Sequence, residues 1–197
     1  MADAAARTAV ATAAAAIGAR DTVELRGAEQ ARTAAFIVTG AEGGALHRER
    51  LRTRYAEYEP NSRDRLVAGS LIPAHWVIQA QRVRLQVYRE AMALFERYDL
   101  LLAPATPFVA SHIAAEAVDL HGQQVPPRAG LGLLAQPLSC IGVPVCCVPL
   151  WPAEGQGLPM GVQLVAAPWR EDCCLAAAAA LERFGIAHTR LPAGIAD

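Results

Sequence analysis

Apolar positions along the chain recur first at helical spacing and later in continuous runs. Residues 2–18 are dominated by alanine and stop at Gly18, a residue suited to the left-handed turn after a helix, so a helix is expected there. Thr22 to Leu25 reads as a short strand. From Ala28 to Leu46 the spacing of Ala31, Ala34, Ala35 and Val38 builds one apolar helical face. Helix, strand, helix is the rhythm of an α/β fold. His47 to Pro60 carries Arg48, Arg50, Arg52, Arg54, Tyr55 and Tyr58 and reads as a solvated connection.

Asn61 is an expected N-cap, with Asp64 three positions on, for a short helix to about Gly69. Pro73 suits the first turn of a long helix to about Tyr98, whose inner stripe is Trp76, Ala80, Val83, Val87, Ala91 and Leu94. Asp99 to Ala103 is an apolar run stopped by Pro104 and reads as a strand buried on both faces inside a sheet. Residues 104–128 read as loop, with a small peripheral hairpin around His121-Gly122. Val143 to Leu150 and Gly161 to Ala167 are two further apolar strands, expected to pair antiparallel across a turn at Trp151 to Pro159. Pro144 and Pro149 belong at strand ends, since proline cannot donate to a ladder. Glu171 and Asp172 open a last helix to about Phe184. With no repeat or linker, residues 1–197 read as one domain.

Composition narrows the function. Hydrophobic residues at 53% and charged residues at 19% fit a globular core, and a net charge of −1 supplies no field for nucleic acid or an anionic membrane. No run is long enough to span a bilayer, and the alanine-rich start lacks the basic lead of a signal peptide. Five cysteines, an odd number without framework spacing, fit a reducing cytoplasm. All 18 basic residues are arginine. Arginine stays protonated, so this chain by itself cannot run chemistry that needs a lysine base.

Candidate chemistry is sparse. Ser62, Ser70, Ser111 and Ser139 are the only serines, and none sits in a G-x-S-x-G turn; Ser139, beside apolar strands, is a better pocket hydroxyl than nucleophile. Cys173 and Cys174 open a helix, where a thiol pKa can fall, but no triad pattern accompanies them and small core residues are the better reading. Cys146 and Cys147 should face opposite sides of a strand. The five histidines are scattered, so neither a metal nor another cofactor is expected. The arginines at 48, 50, 52 and 54 could hold a carboxylate, although spacing alone favours a solvated face.

Several segments in order resemble the C-terminal half of amidase-signature hydrolases. They are Gly40-Ala-Glu-Gly-Gly44, Tyr58-Glu-Pro-Asn-Ser-Arg-Asp-Arg65, Ala80-Gln-Arg-Val-Arg84, Asp99-Leu-Leu-Leu-Ala-Pro-Ala-Thr-Pro107, Gln136-Pro-Leu-Ser-Cys-Ile-Gly-Val-Pro144 and Leu158-Pro-Met-Gly-Val-Gln-Leu-Val165. The resemblance implies part of a mixed β-sheet flanked by helices, an α/β fold, and hydrolysis of C–N amide bonds by a serine nucleophile, a second serine and a lysine base. Neither the lysine nor a serine pair is present, so no catalytic residue carries over. What it implies here is a single partial domain, with the catalytic half supplied by a missing N-terminal portion or by a separate polypeptide, and an oligomeric state. Thr106, Gln136 and Ser139 are the expected pocket-lining residues. Leu51-Arg-Thr-Arg54, Ala80-Gln-Arg82 and Ala166-Ala-Pro-Trp-Arg-Glu-Asp172 resemble family members whose small substrates join a carboxylate to urea-like amides, which adds Arg52 and Arg54 as binding candidates, with a general amidase or an amidotransferase-like subunit as the other family readings. The alternatives are a non-catalytic binding module and a truncated, inactive fragment.

Overall fold

The computed structural model describes residues 1–152 and 157–191. The centre of the expected turn at Trp151 to Pro159 therefore lies outside the described residues. The chain forms two compact units: residues 1–24, 92–138 and 142–197, and residues 25–91 with 139–141.

The first unit is built on a three-stranded sheet of β1 (Leu101–Pro104), β4 (Val145–Leu150) and β5 (Met160–Val165), in the order β1-β5-β4 and antiparallel throughout. Register aligns Leu102, Leu164 and Cys146 on one face, with Pro104, Val162 and Val148 following on that face. Helix α1 (Ala4–Ala16) lays Ala6, Ala9 and Ala13 against it, and Leu181 of α7 (Glu171–Arg183) completes the same apolar cluster. Alanine stripes allow this close approach because little side-chain volume separates helix from sheet. Asp3 caps α1 by accepting from the Ala6 amide at 2.8 Å. The hairpin appears as β2 (Val118–Leu120) and β3 (Gln123–Val125).

Two expectations for this unit change. Thr22 to Leu25 forms no strand: Val23 is 38% exposed, and no strand among the described residues lies beside the segment to take its backbone hydrogen bonds. Nor is β1 interior; it is an edge of this sheet and half-buried along its length, while β5 is the strand buried on both faces. Pro149 sits one residue inside the end of β4, which is tolerated because β4 is the opposite edge.

The second unit is helical. Helix α2 (Ala28–Arg54) runs eight residues beyond Leu46, through the segment expected to be a connection. Arginine and glutamate are good helix formers, and Glu49–Arg52 and Thr53 to the Glu49 carbonyl supply one-turn contacts that hold the extension. Helix α3 (Pro60–Ser70) packs across α2 at glycines: a Cβ on Gly69 would collide with the Gly40 carbonyl oxygen, and one on Gly44 with the Ser70 nitrogen. The cap of α3 is Glu59 rather than Asn61, since Pro60 fits the first helical position and leaves the residue before it to accept. Helix α4 (Ala74–Phe95) buries Ala80, Val87 and Ala91. Trp76, expected inside, is 53% exposed; it stands in the first turn of α4, ahead of the buried Ala80, Val87 and Ala91.

Candidate functional site

Thr106 lies two residues beyond β1. Its half-buried hydroxyl donates to the Phe108 carbonyl at 2.8 Å and lies 3.5 Å from the Met160 sulfur. The Ala105 amide extends the ladder by donating to Gly161 at 2.8 Å, so the segment leaves the sheet in a fixed direction.

Gln136 and Ser139 share the short helix α6 (Gln136–Ile141), which follows α5 (Pro127–Leu131). One helical turn separates them, which sets both on one face, while Pro137, Leu138 and Ile141 are buried on the other. The Gln136 side chain lies over Gly132, where an added Cβ would meet its amide at 2.8 Å. Gly142, at φ 72°, ends the helix in the left-handed conformation that glycine adopts without strain. Ser139 is exposed, and its hydroxyl makes no hydrogen bond among the described residues, which leaves it without a base.

What joins these segments is a residue that sequence reasoning missed. Gln163 on β5 is 4% exposed, and its amide nitrogen donates to the carbonyls of Pro104 at 2.9 Å and Leu134 at 3.4 Å. Pro104 precedes Thr106 by two residues and Leu134 precedes Gln136 by two. One buried amide thus fixes the spacing of the two segments that carry these side chains. The available signal was a glutamine within the apolar run Gly161 to Ala167, since a buried amide must find partners.

Helix α2 divides the arginine series. At about 100° per residue, Arg48 and Arg52 lie on one side of the helix and Arg50 and Arg54 on nearly the opposite side. Arg52 pairs with Glu49 at 3.8 Å, and Arg54 makes a two-pronged pair with Glu57 at 2.6 and 2.9 Å. These exposed pairs are each worth roughly 0–1 kcal/mol, so a stronger anionic ligand could displace either carboxylate. Together Arg52 and Arg54 do not form a single fork.

Cys140 and Cys174 behave as packing groups, whereas Cys173, expected in the core, lies half-buried at the surface with Arg170 Nη2 2.7 Å from its sulfur. Burial pushes Cys140 and Cys174 up, against a smaller opposing effect of Arg84 on Cys140. Cys146 packs toward the α1 and α7 side of the sheet and Cys147 faces away, exposed. No group of three His, Cys, Asp or Glu residues is placed to hold a metal among the described residues.

A short antiparallel sheet, tied to its flanking segments by the buried Gln163 amide, carries two of the segments that resemble amide hydrolases, at 99–107 and 158–165, and the others lie on or beside the helices. The chain belongs to the amidase family, whose model matches residues 27–175. It is 47% identical over 187 residues to AtzE, the 1-carboxybiuret hydrolase subunit of Pseudomonas sp. strain ADP, a match covering 94% of this chain and 41% of that protein. A glutamyl-tRNA(Gln) amidotransferase subunit of Roseiflexus castenholzii is 33% identical over 146 residues, covering 72% of this chain and 28% of the relative. Among solved structures, an inhibitor-bound chain from a vestigial complex tied to the origins of an s-triazine catabolic enzyme matches with TM-score 0.91 at 45% identity, covering 96% of this chain and 42% of that one. A bacterial aryl acylamidase shares the fold at TM-score 0.74 and 20% identity, with coverage of 92% and 40%. The chain spans about two fifths of the length of the first of these relatives. No described helix is long and apolar enough to cross a membrane.

Proposed function

We propose that this chain supplies scaffold and pocket wall to an amide hydrolase, while nucleophile and base come from polypeptide outside these 197 residues. One observation carries the reading: the chain belongs to the amidase family yet contains no lysine and no adjacent serines. Acyl transfer from an amide needs an activated nucleophile, and neither the arginines nor the isolated Ser139 supplies one.

In this reading Thr106, Gln136 and Ser139 are pocket residues, and Gln163 holds the segments that lead to Thr106 and Gln136. The substrate is a small amide or urea-like compound bearing a carboxylate, by likeness to the carboxybiuret hydrolase relative. Arg52 and Arg54 then act singly rather than as a fork, with one of them leaving its surface glutamate for the substrate carboxylate. The enzyme works in the cytoplasm, consistent with five free thiols, and as an oligomer or complex. Ammonia release from 1-carboxybiuret and from biuret, by the chain together with the catalytic portion of the Pseudomonas relative, tests the substrate assignment. A preference for the carboxylated compound that falls in Arg52→Ala or Arg54→Ala supports it; equal turnover of both compounds overturns it.

A further inference from the structure

The outward side of α4 carries a pattern to which the proposed pocket assigns no role, although Arg82 and Arg84 belong to the segment Ala80 to Arg84 that resembles the family. Ile78, Arg82, Leu85 and Arg89 fall within an arc of about 60° when laid on a helix, opposite the stripe of Ala80, Val87 and Ala91 that the helix buries. Ile78 is 55% and Leu85 49% exposed, and both arginines between and beyond them are exposed. Neither Arg82 nor Arg89 has a carboxylate partner among the described residues. Beside the stripe and sharing Leu85 with it, a cavity of about 280 Å³ is lined by Gln81, Arg84, Leu85, Tyr88 and Ile141. Arg84 there makes one long hydrogen bond, to Gln81 at 3.4 Å. The chain as a whole is close to neutral, so three arginines without carboxylates along one helix are a local concentration of charge.

We propose that this side of α4 docks an acidic amphipathic helix of another polypeptide. The stripe runs ~17 Å from Ile78 to Arg89. A partner helix laid along it would place apolar side chains on Ile78 and Leu85 and carboxylates on Arg82 and Arg89, with a carboxylate on its flank entering the cavity at Arg84. Charge decides against a second copy using the same face, since a two-fold contact would set arginine against arginine. It decides less sharply against an anionic membrane, but the stripe lacks the aromatic residues and broad apolar face of helices that lie in bilayers.

The probe is a labelled, capped peptide of about 18 residues, long enough to cover the stripe, with leucines and glutamates on one helical face. Its binding to the 197-residue chain is followed by fluorescence anisotropy. Saturable binding that weakens with salt, falls about tenfold or more in Arg82→Glu/Arg89→Glu and returns with a lysine-for-glutamate peptide is the expected result. Circular dichroism and thermal unfolding of the double variant should match the parent, because both positions are exposed. Leu85→Ser gives a second, uncharged check and should also weaken binding. Absence of saturable binding, or affinity unchanged in these variants, overturns the proposal. So does preference for phosphatidylserine vesicles over the peptide, or self-association through this face in light scattering.

Discussion

At the scale of single residues, the polar seam rests on Gln163. Replacing it with leucine keeps the volume and removes the donor, so the carbonyls of Pro104 and Leu134 lose a partner inside the sheet's cover. An unsatisfied buried acceptor costs about 1–3 kcal/mol, and Gln163→Leu should lower urea-unfolding stability by that order. Gly69 is the corresponding point in the helical unit: Gly69→Ala brings a methyl group against the Gly40 carbonyl, and backbone on both sides has no rotamer to change. Overpacking of this kind costs about 1–3 kcal/mol, measurable as a lower unfolding midpoint. The sequence made these residues unequally legible. Gly69 shows its role only when α3 crosses α2, and Gln163 shows its role only when two loops arrive above β5. Thr106, Gln136 and Ser139 could be singled out because the segments containing them resemble a family, not because their own spacing implied a site.

At the scale of elements, caps and packing partners decided what the hydrophobic pattern left open. Glu59 closes the start of α3 by accepting from the amides of Asn61 and Ser62 at 3.1 and 2.8 Å, with the Ser62 hydroxyl at 2.9 Å. The Asn61 amide is the largest influence, followed by the Ser62 hydroxyl, and together with the remaining bonds they hold the carboxyl at about 2, below its ordinary value near 4.5. A lowered folded pKa stabilises above the unfolded value and loses that contribution as protons bind the native carboxylate. Stability should therefore fall as pH drops from about 4.5 toward 2, and Glu59→Gln should flatten that part of the profile, as read from urea midpoints across the window. Helices with a clear apolar stripe or alanine run were legible: α1, α4 and α7 lie within a few residues of their expected bounds. Strands depend on neighbours, so the paired runs β4 and β5 were legible, whereas Thr22 to Leu25 had the composition of a strand and no partner. Charged residues misled at the end of α2, where exposed arginines extend a helix instead of opening a loop.

At the scale of the molecule, the described sheet leaves its outer edges on β1 and β4 without a strand, and Val145 on β4 is 40% exposed. Open edges and bare apolar side chains favour association. Light scattering of the isolated chain should show species larger than the monomer, shifting toward one defined assembly when a catalytic partner is present; a stable lone monomer with cooperative unfolding would favour the binding-module reading. This chain is proposed to complete an amide hydrolase whose nucleophile and base lie elsewhere. Ammonia release from 1-carboxybiuret tests it most directly, with the 197-residue chain alone, the lysine- and serine-bearing portion of a family relative alone, and the two combined. Turnover is expected only in the combination, and it is abolished when the relative's lysine is replaced by alanine. Turnover by the 197-residue chain alone, or none in the combination when the two polypeptides demonstrably associate, would contradict it.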